Sequence, residues 1–121
     1  MAQILVVDDE ESIRILYEEE LADEGYQVSS VGSADEAVAK LEEDVFDLVV
    51  LDIKLKNESG LDLLQKLVKD RHDMPVILCS AFSCYKDDFS AWLANGYVVK
   101  SSDLTELKEE IKHALARKMP V

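Results

Sequence analysis

Short apolar runs alternate five times with longer stretches in which apolar residues recur at helical spacing. The apolar runs predict strands over residues 3–7, 26–31, 47–52, 75–80 and 97–100. The stretches between them predict helices over residues 10–24, 33–43, 60–71, 83–94 and 103–118. Sequences typical of capping boxes begin two of these helices, at Ser33–Glu36 and Asp103–Glu106. The chain therefore alternates β and α elements along its length.

This alternation predicts an α/β fold with a parallel sheet. Runs such as Leu48–Leu51 are apolar at every position, which is typical of strands that are buried on both faces of such a sheet. Right-handed crossovers then place helices on both faces. Five strands suit the doubly wound, flavodoxin-like order 2-1-3-4-5, in which the first and third strands are neighbours. We expect one domain over residues 1–121 with five strands and five helices.

Polar side chains follow four of the predicted strands at the point where each strand ends. Asp8 and Asp9 follow the first strand, and Asp52 ends the third. Ser80 ends the fourth strand, and Lys100 ends the fifth. Open α/β sheets bind their ligands at the carboxyl edge of the strands, near the point where the strand order reverses. We therefore expect these five side chains to form one site.

Three carboxylates in one cleft repel each other, so either one keeps a proton or a cation compensates them. Hard oxygen ligands with room for water suit Mg²⁺. A metal ion together with a lysine would bind a phosphoryl group, because both neutralise its oxygens. A carboxylate in such a site can also act as the nucleophile, which gives an acyl phosphate.

Composition narrows the choice of partners. The net charge of −13 argues against nucleic acid or an anionic membrane as a direct partner. No apolar run approaches the roughly 20 residues that a membrane helix needs. The first predicted strand begins at residue 3, so we expect no secretory signal. The two cysteines suggest neither a disulfide scaffold nor a zinc site, and we expect a cytoplasmic protein.

Five motifs together resemble the receiver domain of two-component response regulators, of the kind typified by chemotaxis regulators. The resemblance covers the whole chain in order and spacing, and it rests on Val6–Glu10, Asp47–Asp52, Gly60–Leu64, Ser80–Ala81 and Tyr97–Lys100. It implies a signalling phosphoprotein that is not an enzyme acting on a separate substrate. Asp52 would accept a phosphoryl group from a histidine kinase or a phosphotransfer protein, assisted by Ser80 and Lys100. The implied Mg²⁺ ligands are the Asp9 and Asp52 carboxylates directly, Asp8 through water, and the backbone carbonyl of Lys54.

The resemblance also implies a switch. Phosphorylation would draw Ser80 inward and turn Tyr97, which changes the face made by the fourth predicted helix, the fifth strand and the fifth helix. That face would signal to a downstream protein or to an output domain, and a phosphorylation-dependent dimer is a further expectation. We expect no output domain within residues 1–121.

The sequence departs from the family pattern at several positions near the site. Lys56 and Ser101 stand where the family usually has proline. Lys54 and Phe82 are bulky at the two positions that flank the phosphoryl group in this family. We expect these two side chains to limit the access of water and so to prolong the phosphorylated state. In the competing alternative, Lys54 stabilises the transition state and speeds hydrolysis.

Three rival functions remain open at this point. A receiver-like binding module would keep the site residues but never turn over phosphate. A haloacid-dehalogenase-like phosphatase would also use an aspartate nucleophile, but its first strand resembles D-x-D, whereas Asp8 and Asp9 are adjacent. A flavin-binding domain would need a Ser/Thr/Gly-rich loop after the first strand, and the chain has none there.

The first predicted helix is strongly acidic. Residues 10–24 hold seven acidic side chains and one base, Arg14. Such a face could help to select the kinase by speeding the encounter with a basic partner. It could equally be a solvated face that only adds solubility.

Overall fold

The computed structural model describes residues 2–55, 58–70, 73–81, 94–100 and 103–118. The predicted helix over residues 83–94 lies outside these residues except for its last position. Phe82, Lys56 and Ser101 also lie outside them.

All five predicted strands are present, and so are four helices within the described residues. The strands are β1 (Gln3–Val7), β2 (Gln27–Val31), β3 (Leu48–Asp52), β4 (Lys54–Leu55), β5 (Glu58–Ser59), β6 (Val76–Ser80) and β7 (Gly96–Val99). The helices are α1 (Glu11–Asp23), α2 (Ala34–Glu43), α3 (Gly60–Asp70) and α4 (Thr105–Lys118). Among these helices, none has the length and apolar character that crossing a membrane requires.

The large sheet has five strands in the order β2-β1-β3-β6-β7, and every neighbouring pair is parallel. This is the predicted doubly wound order. Leu48–Asp52 and Val76–Ser80 are buried at every position, because they form two inner strands of the sheet that are covered on both faces. The edge strand Gln27–Val31 is more polar and only partly buried.

Alternate residues of each strand enter two separate cores. Ile4, Val6 and Val50 pack with residues of α1 and α4 on one face. Leu5 and Leu51 pack with residues of α2 and α3 on the other face. Because side chains alternate along a strand, Asp8 and Asp52 continue the rows that face α1 and α4. The alternation thus brings polar side chains from neighbouring strands together at the carboxyl edge, beyond the apolar core.

Local sequence signals set several helix ends. Ser33 caps α2 as predicted, and its Oγ accepts a hydrogen bond of 3.2 Å from the N–H of Glu36. Asp103 Oδ1 accepts a hydrogen bond of 2.9 Å from the N–H of Thr105, at the first residue of α4. Gly25 follows α1 with φ of 96°, a conformation that favours glycine at a helix end.

The sequence analysis did not predict the small antiparallel hairpin of β4 and β5 that follows Asp52. The hairpin returns the chain to β3, where the N–H of Gly60 donates a hydrogen bond of 2.6 Å to the carbonyl of Ile53. Gly60 lies so close to the Asp52 carbonyl that a Cβ there would overlap the backbone oxygen. The absence of a side chain at Gly60 therefore permits this close return.

We predict that Gly60→Ala lowers the free energy of unfolding by about 1–3 kcal/mol, because the added methyl group forces the hairpin away from β3. Denaturant unfolding in EDTA measures this change. Lys69→Ala, an exposed position in the same helix, is the control and should stay within about 0.5 kcal/mol of the wild type. Equal stability of the Gly60→Ala protein and the wild type would contradict the steric explanation.

Candidate acid pocket

One predicted site residue, Lys100, contacts two others at the carboxyl edge of the sheet. Lys100 Nζ lies 2.7 Å from Asp8 Oδ2 and 3.1 Å from Asp52 Oδ2. Asp8 is 2% exposed and Asp52 is 6% exposed, so water does little to stabilise either charge. The single ammonium group therefore compensates two buried carboxylates at once.

Asp8 is held by its backbone as well as by its side chain. Its N–H donates a hydrogen bond of 3.1 Å to the carbonyl of Val31, which attaches the end of β1 to β2. Its Oδ1 accepts a hydrogen bond of 2.9 Å from the N–H of Glu10. Its own carbonyl accepts a hydrogen bond of 2.7 Å from Nη1 of Arg14. These bonds fix the turn that carries Asp8, Asp9 and Glu10.

The same turn brings three carboxylates together. Asp8, Asp9 and Glu10 each offer an oxygen within 4.8 Å of the others. The sequence analysis omitted Glu10 from the site, although the acidic run of three residues was a visible signal. Carboxylate oxygens are the donors that Mg²⁺ prefers, so the chemistry of this set fits a magnesium ion. We call Asp8, Asp9, Glu10, Asp52 and Lys100 the acid pocket.

Burial is the main cause that raises the pKa of Asp52 to about 6, and the negative charge of Asp8 adds to it. The charge of Lys100 opposes the rise but does not cancel it. For Lys100, burial lowers the pKa, but the hydrogen bond to Asp8 and the charges of the two carboxylates outweigh it, and the pKa is raised. The site thus contains a permanent cation beside a carboxylate that holds its proton more tightly than usual.

The two residues expected to form the switch, Ser80 and Tyr97, lie on the strands β6 and β7. Ser80 is buried at the end of β6, and its carbonyl accepts a hydrogen bond of 2.7 Å from the N–H of Lys100. Tyr97 is half-buried on β7 and packs against the core under α2 and α3. Ser80 is therefore connected to the pocket through the backbone that positions Lys100.

Of the two residues expected to flank the phosphoryl group, Lys54 is exposed on β4 and Phe82 lies outside the described residues. The N–H of Lys54 donates a hydrogen bond of 3.3 Å to Asp52 Oδ1. The chain directly after Asp52 therefore folds back over its carboxylate.

A buried polar pair lies on the same face of the sheet as Asp52, one strand away. Tyr17 Oη and Cys79 Sγ are 3.3 Å apart, and Cys79 is the register partner of Asp52 on the neighbouring strand. Burial raises the pKa of both groups, that of Cys79 to about 11, so both stay neutral. Cys79 is a buried free cysteine. The sequence analysis did not predict this pair.

A doubly wound parallel sheet with two carboxylates and a lysine at its carboxyl edge defines a receiver-type α/β domain. A family model for the response regulator receiver domain matches residues 4–112, and the chain belongs to this family. The resemblance drawn from the five sequence motifs is thereby confirmed. Membership decides against the phosphatase and flavin-binding alternatives.

Individual relatives agree with this membership. The response regulator ArlR of Staphylococcus aureus is 31% identical over 99% of this chain, which covers 55% of ArlR. The chain thus spans about half the length of the curated relatives that it matches. The response regulator TrrA of Thermotoga maritima, solved in complex with Mg²⁺ and BeF, is 44% identical with a TM-score of 0.91, and the match covers 94% of this chain and 99% of TrrA.

Two further solved structures are similar. TrrA in complex with the histidine kinase ThkA is 44% identical with a TM-score of 0.89, over 95% of this chain and 99% of that one. A receiver domain protein from Methanospirillum hungatei is 32% identical with a TM-score of 0.90, over 98% of this chain and 96% of that one.

We predict that Asp52→Asn stabilises the metal-free protein at neutral pH. The folded-state pKa of Asp52 lies above its ordinary value of 3.8, at about 6. The folded state therefore holds the Asp52 proton more tightly than the unfolded state does, and this stabilises the fold fully below about pH 4. The stabilisation is lost as the pH rises through about 6. Since each pKa unit corresponds to about 1.4 kcal/mol, the variant should gain at most about 3 kcal/mol at pH 7.5 and almost nothing at pH 4.

Denaturant unfolding in EDTA across this pH range measures the gain. Asp62→Asn, at an exposed position, is the control and should change stability little at any pH. An Asp52→Asn protein that is less stable than the wild type at pH 7.5 would contradict the prediction.

Proposed function

We propose that this receiver domain accepts a phosphoryl group on the Asp52 carboxylate in the presence of Mg²⁺. The observation that carries the proposal is the contact of Lys100 Nζ with both Asp8 and Asp52, at 2.7 and 3.1 Å. Because Lys100 already contacts both carboxylates, its ammonium group can also contact an oxygen of a phosphoryl group on Asp52. The donor is a histidine kinase or a phosphotransfer protein, which accords with the solved complex of TrrA with its kinase.

Asp52 is the nucleophile in this proposal. One of its oxygens attacks the phosphorus of the donor, the bond between the phosphorus and the donor breaks, and an acyl phosphate forms. A pKa of about 6 leaves the carboxylate mostly ionised at neutral pH, as a nucleophile must be. Lys100 moves its contact from the carboxylate to a phosphoryl oxygen, and the Ser80 hydroxyl donates a hydrogen bond to another.

The residues that would hold Mg²⁺ are Asp9 and Asp52 directly, Asp8 through water and the carbonyl of Lys54. Glu10 joins this set because its carboxylate lies within 4.8 Å of those of Asp8 and Asp9. When bound, Mg²⁺ supplies positive charge that neutralises the phosphoryl oxygens. Support for this assignment comes from the oxygen chemistry of the donors and from the Mg²⁺ in the TrrA structure.

The switch is a second part of the proposal. Movement of Ser80 toward the phosphoryl group and rotation of Tyr97 would change the surface of β7 and α4, together with the segment over residues 83–94. This surface would signal to a downstream protein, to an output domain or to a second copy of the chain. Relatives such as ArlR are about twice as long as this chain, so an output domain is a suitable recipient of the signal.

The kinase would meet the domain at α1. Ile15 and Leu16 are exposed on this helix, at 48% and 36%, beside the acidic face that surrounds Arg14. An apolar patch with a charged surround suits a docking surface whose charges speed the encounter. This placement favours partner selection over a purely solubilising role for the acidic face.

The lifetime of the phosphoryl group completes the proposal. Lys54 is exposed two residues after Asp52, and with Phe82 it would restrict the approach of water in line with the bond to phosphorus. The phosphorylated state would then be long-lived, because the excluded water is the nucleophile of hydrolysis.

We predict that acetyl phosphate with Mg²⁺ adds one phosphoryl group to the wild type, detected by intact mass. Asp52→Asn should abolish this addition, because the amide is a poor nucleophile, while the control Asp62→Asn keeps it. EDTA should also abolish it. The adduct should be lost on treatment with hydroxylamine, as an acyl phosphate is.

Labelling that persists in Asp52→Asn and resists hydroxylamine would contradict the assignment of Asp52. A wild-type chain that takes no label from acetyl phosphate or from a kinase would favour the rival reading as a binding module that never turns over phosphate.

We predict that beryllofluoride, which mimics the phosphoryl group, shifts the amide resonances of residues 96–99 and 105–118 in the wild type. In Ser80→Ala these shifts should shrink, while the shifts of the acid pocket remain, because the hydroxyl that links the two regions is gone. Ser29→Ala on the edge strand β2 is the matched control. Shifts confined to the acid pocket in the wild type would contradict the switch.

A further inference from the structure

Arg14 is the single basic residue between Asp8 and Glu24, and its position in α1 is unfavourable for a cation. Its N–H donates a hydrogen bond of 3.1 Å to the carbonyl of Glu10, so it lies at the beginning of the helix. The helix dipole disfavours positive charge at this end. A local role in stabilising the helix therefore does not explain Arg14.

The guanidinium instead reaches back to the end of β1. Its Nη1 donates a hydrogen bond of 2.7 Å to the carbonyl of Asp8, six residues earlier. The Asp8 carbonyl lies where the strand has ended and the helix has not begun, so neither element supplies it with a partner of its own. Arg14 thus completes the bonding of the turn that presents Asp8, Asp9 and Glu10.

Gly32 leaves the space that the guanidinium occupies. A Cβ at Gly32 would lie 3.1 Å from Arg14 Nη1 and 3.7 Å from Arg14 Cζ. The backbone of Gly32 does not adopt the left-handed conformation that favours glycine, so the effect of a side chain there is steric, and the guanidinium would have to move by a few tenths of an ångström. Gly32 directly follows Val31, whose carbonyl accepts the hydrogen bond from the N–H of Asp8. The end of β2 therefore both bonds the turn and makes room for the arginine that fixes it.

We infer that Arg14 is a positioning residue for the metal site of the acid pocket, and that Gly32 reserves its place. This inference rests on the proposed function, because the site that Arg14 positions is the one assigned to Mg²⁺. A positioning role and a purely electrostatic role of Arg14 predict opposite changes in Mg²⁺ affinity when Arg14 is removed. A positive charge near the carboxylates repels a cation, so its removal by itself would tighten Mg²⁺ binding. Loss of a positioning contact weakens binding, because the carboxylates no longer converge.

The test is a Mg²⁺ titration, followed by amide shifts of Asp9 and Glu10, of the wild type, Arg14→Gln, Gly32→Ala and the double variant. Arg14→Gln should bind Mg²⁺ about tenfold more weakly, as is typical when a partner of a metal ligand is removed. Gly32→Ala should weaken binding by a smaller factor, because its methyl group displaces the guanidinium by only a few tenths of an ångström. The double variant should be no weaker than Arg14→Gln, because the alanine methyl group has no guanidinium left to displace. Gly32→Ala keeps the charge of Arg14, so it separates position from charge.

Arg117→Gln is the matched control, since Nη2 of Arg117 also donates to a backbone carbonyl, that of Asn95, at 3.2 Å. Its Mg²⁺ affinity should stay within about twofold of the wild type. Thermal unfolding in EDTA establishes that each variant is folded, and if Arg14→Gln is not, Gly32→Ala decides alone. In the folded metal-free variants the amide resonance of Glu10 should shift, because its hydrogen bond to Asp8 Oδ1 depends on the turn.

Mg²⁺ binding by Arg14→Gln and Gly32→Ala that is as tight as in the wild type, or tighter, would overturn the inference and leave the proposed function intact. A wild type that binds no Mg²⁺ would overturn both.

Discussion

The contact of one lysine with two buried carboxylates is the constraint on which the rest of this domain depends. Asp8 and Asp52 are carried by neighbouring strands, and the register that pairs Val7 with Leu51 places them side by side. Two buried charges of the same sign are tolerable only with a compensating cation. Lys100 supplies it from the opposite half of the sheet, so β1, β3 and β7 must keep their register for the site to exist. The sheet order and the chemistry of the site therefore constrain each other.

The compensation is incomplete, and that has a functional meaning. Burial raises the pKa of Asp52 to about 6 even with Lys100 in contact. The folded chain thus holds a carboxylate in a place that costs stability at neutral pH. A site that is destabilised when empty binds a cation with less loss than a fully compensated one, because the cation relieves a cost that the fold already bears.

The sequence predicted two kinds of feature, the apolar runs that form strands and the polar residues at the ends of those strands. Apolar runs such as Leu48–Leu51 predicted the inner strands, and the polar residues after them predicted the meeting of Asp8, Asp52 and Lys100. The features that it did not predict are contacts across elements. The hairpin after Asp52 consists of two-residue strands and depends on the close return of Gly60. One such contact joins Arg14 to Asp8, and a periodic pattern shows Arg14 only as a lone base. Another joins Tyr17 to Cys79, which the same pattern shows only as apolar positions.

Helix α1 connects these unpredicted contacts. Its beginning holds the turn of Asp8, Asp9 and Glu10 through Arg14, and its buried face carries Tyr17, whose hydroxyl meets Cys79 on the strand beside Asp52. Because that buried pair is neutral, it adds no charge near the carboxylates, and the compensation is left to Lys100 and to whatever the pocket binds. The opposite face of the same helix exposes Ile15 and Leu16 among its acidic residues. The outer, exposed face of α1 and the turn of Asp8, Asp9 and Glu10 are therefore connected through a single helix.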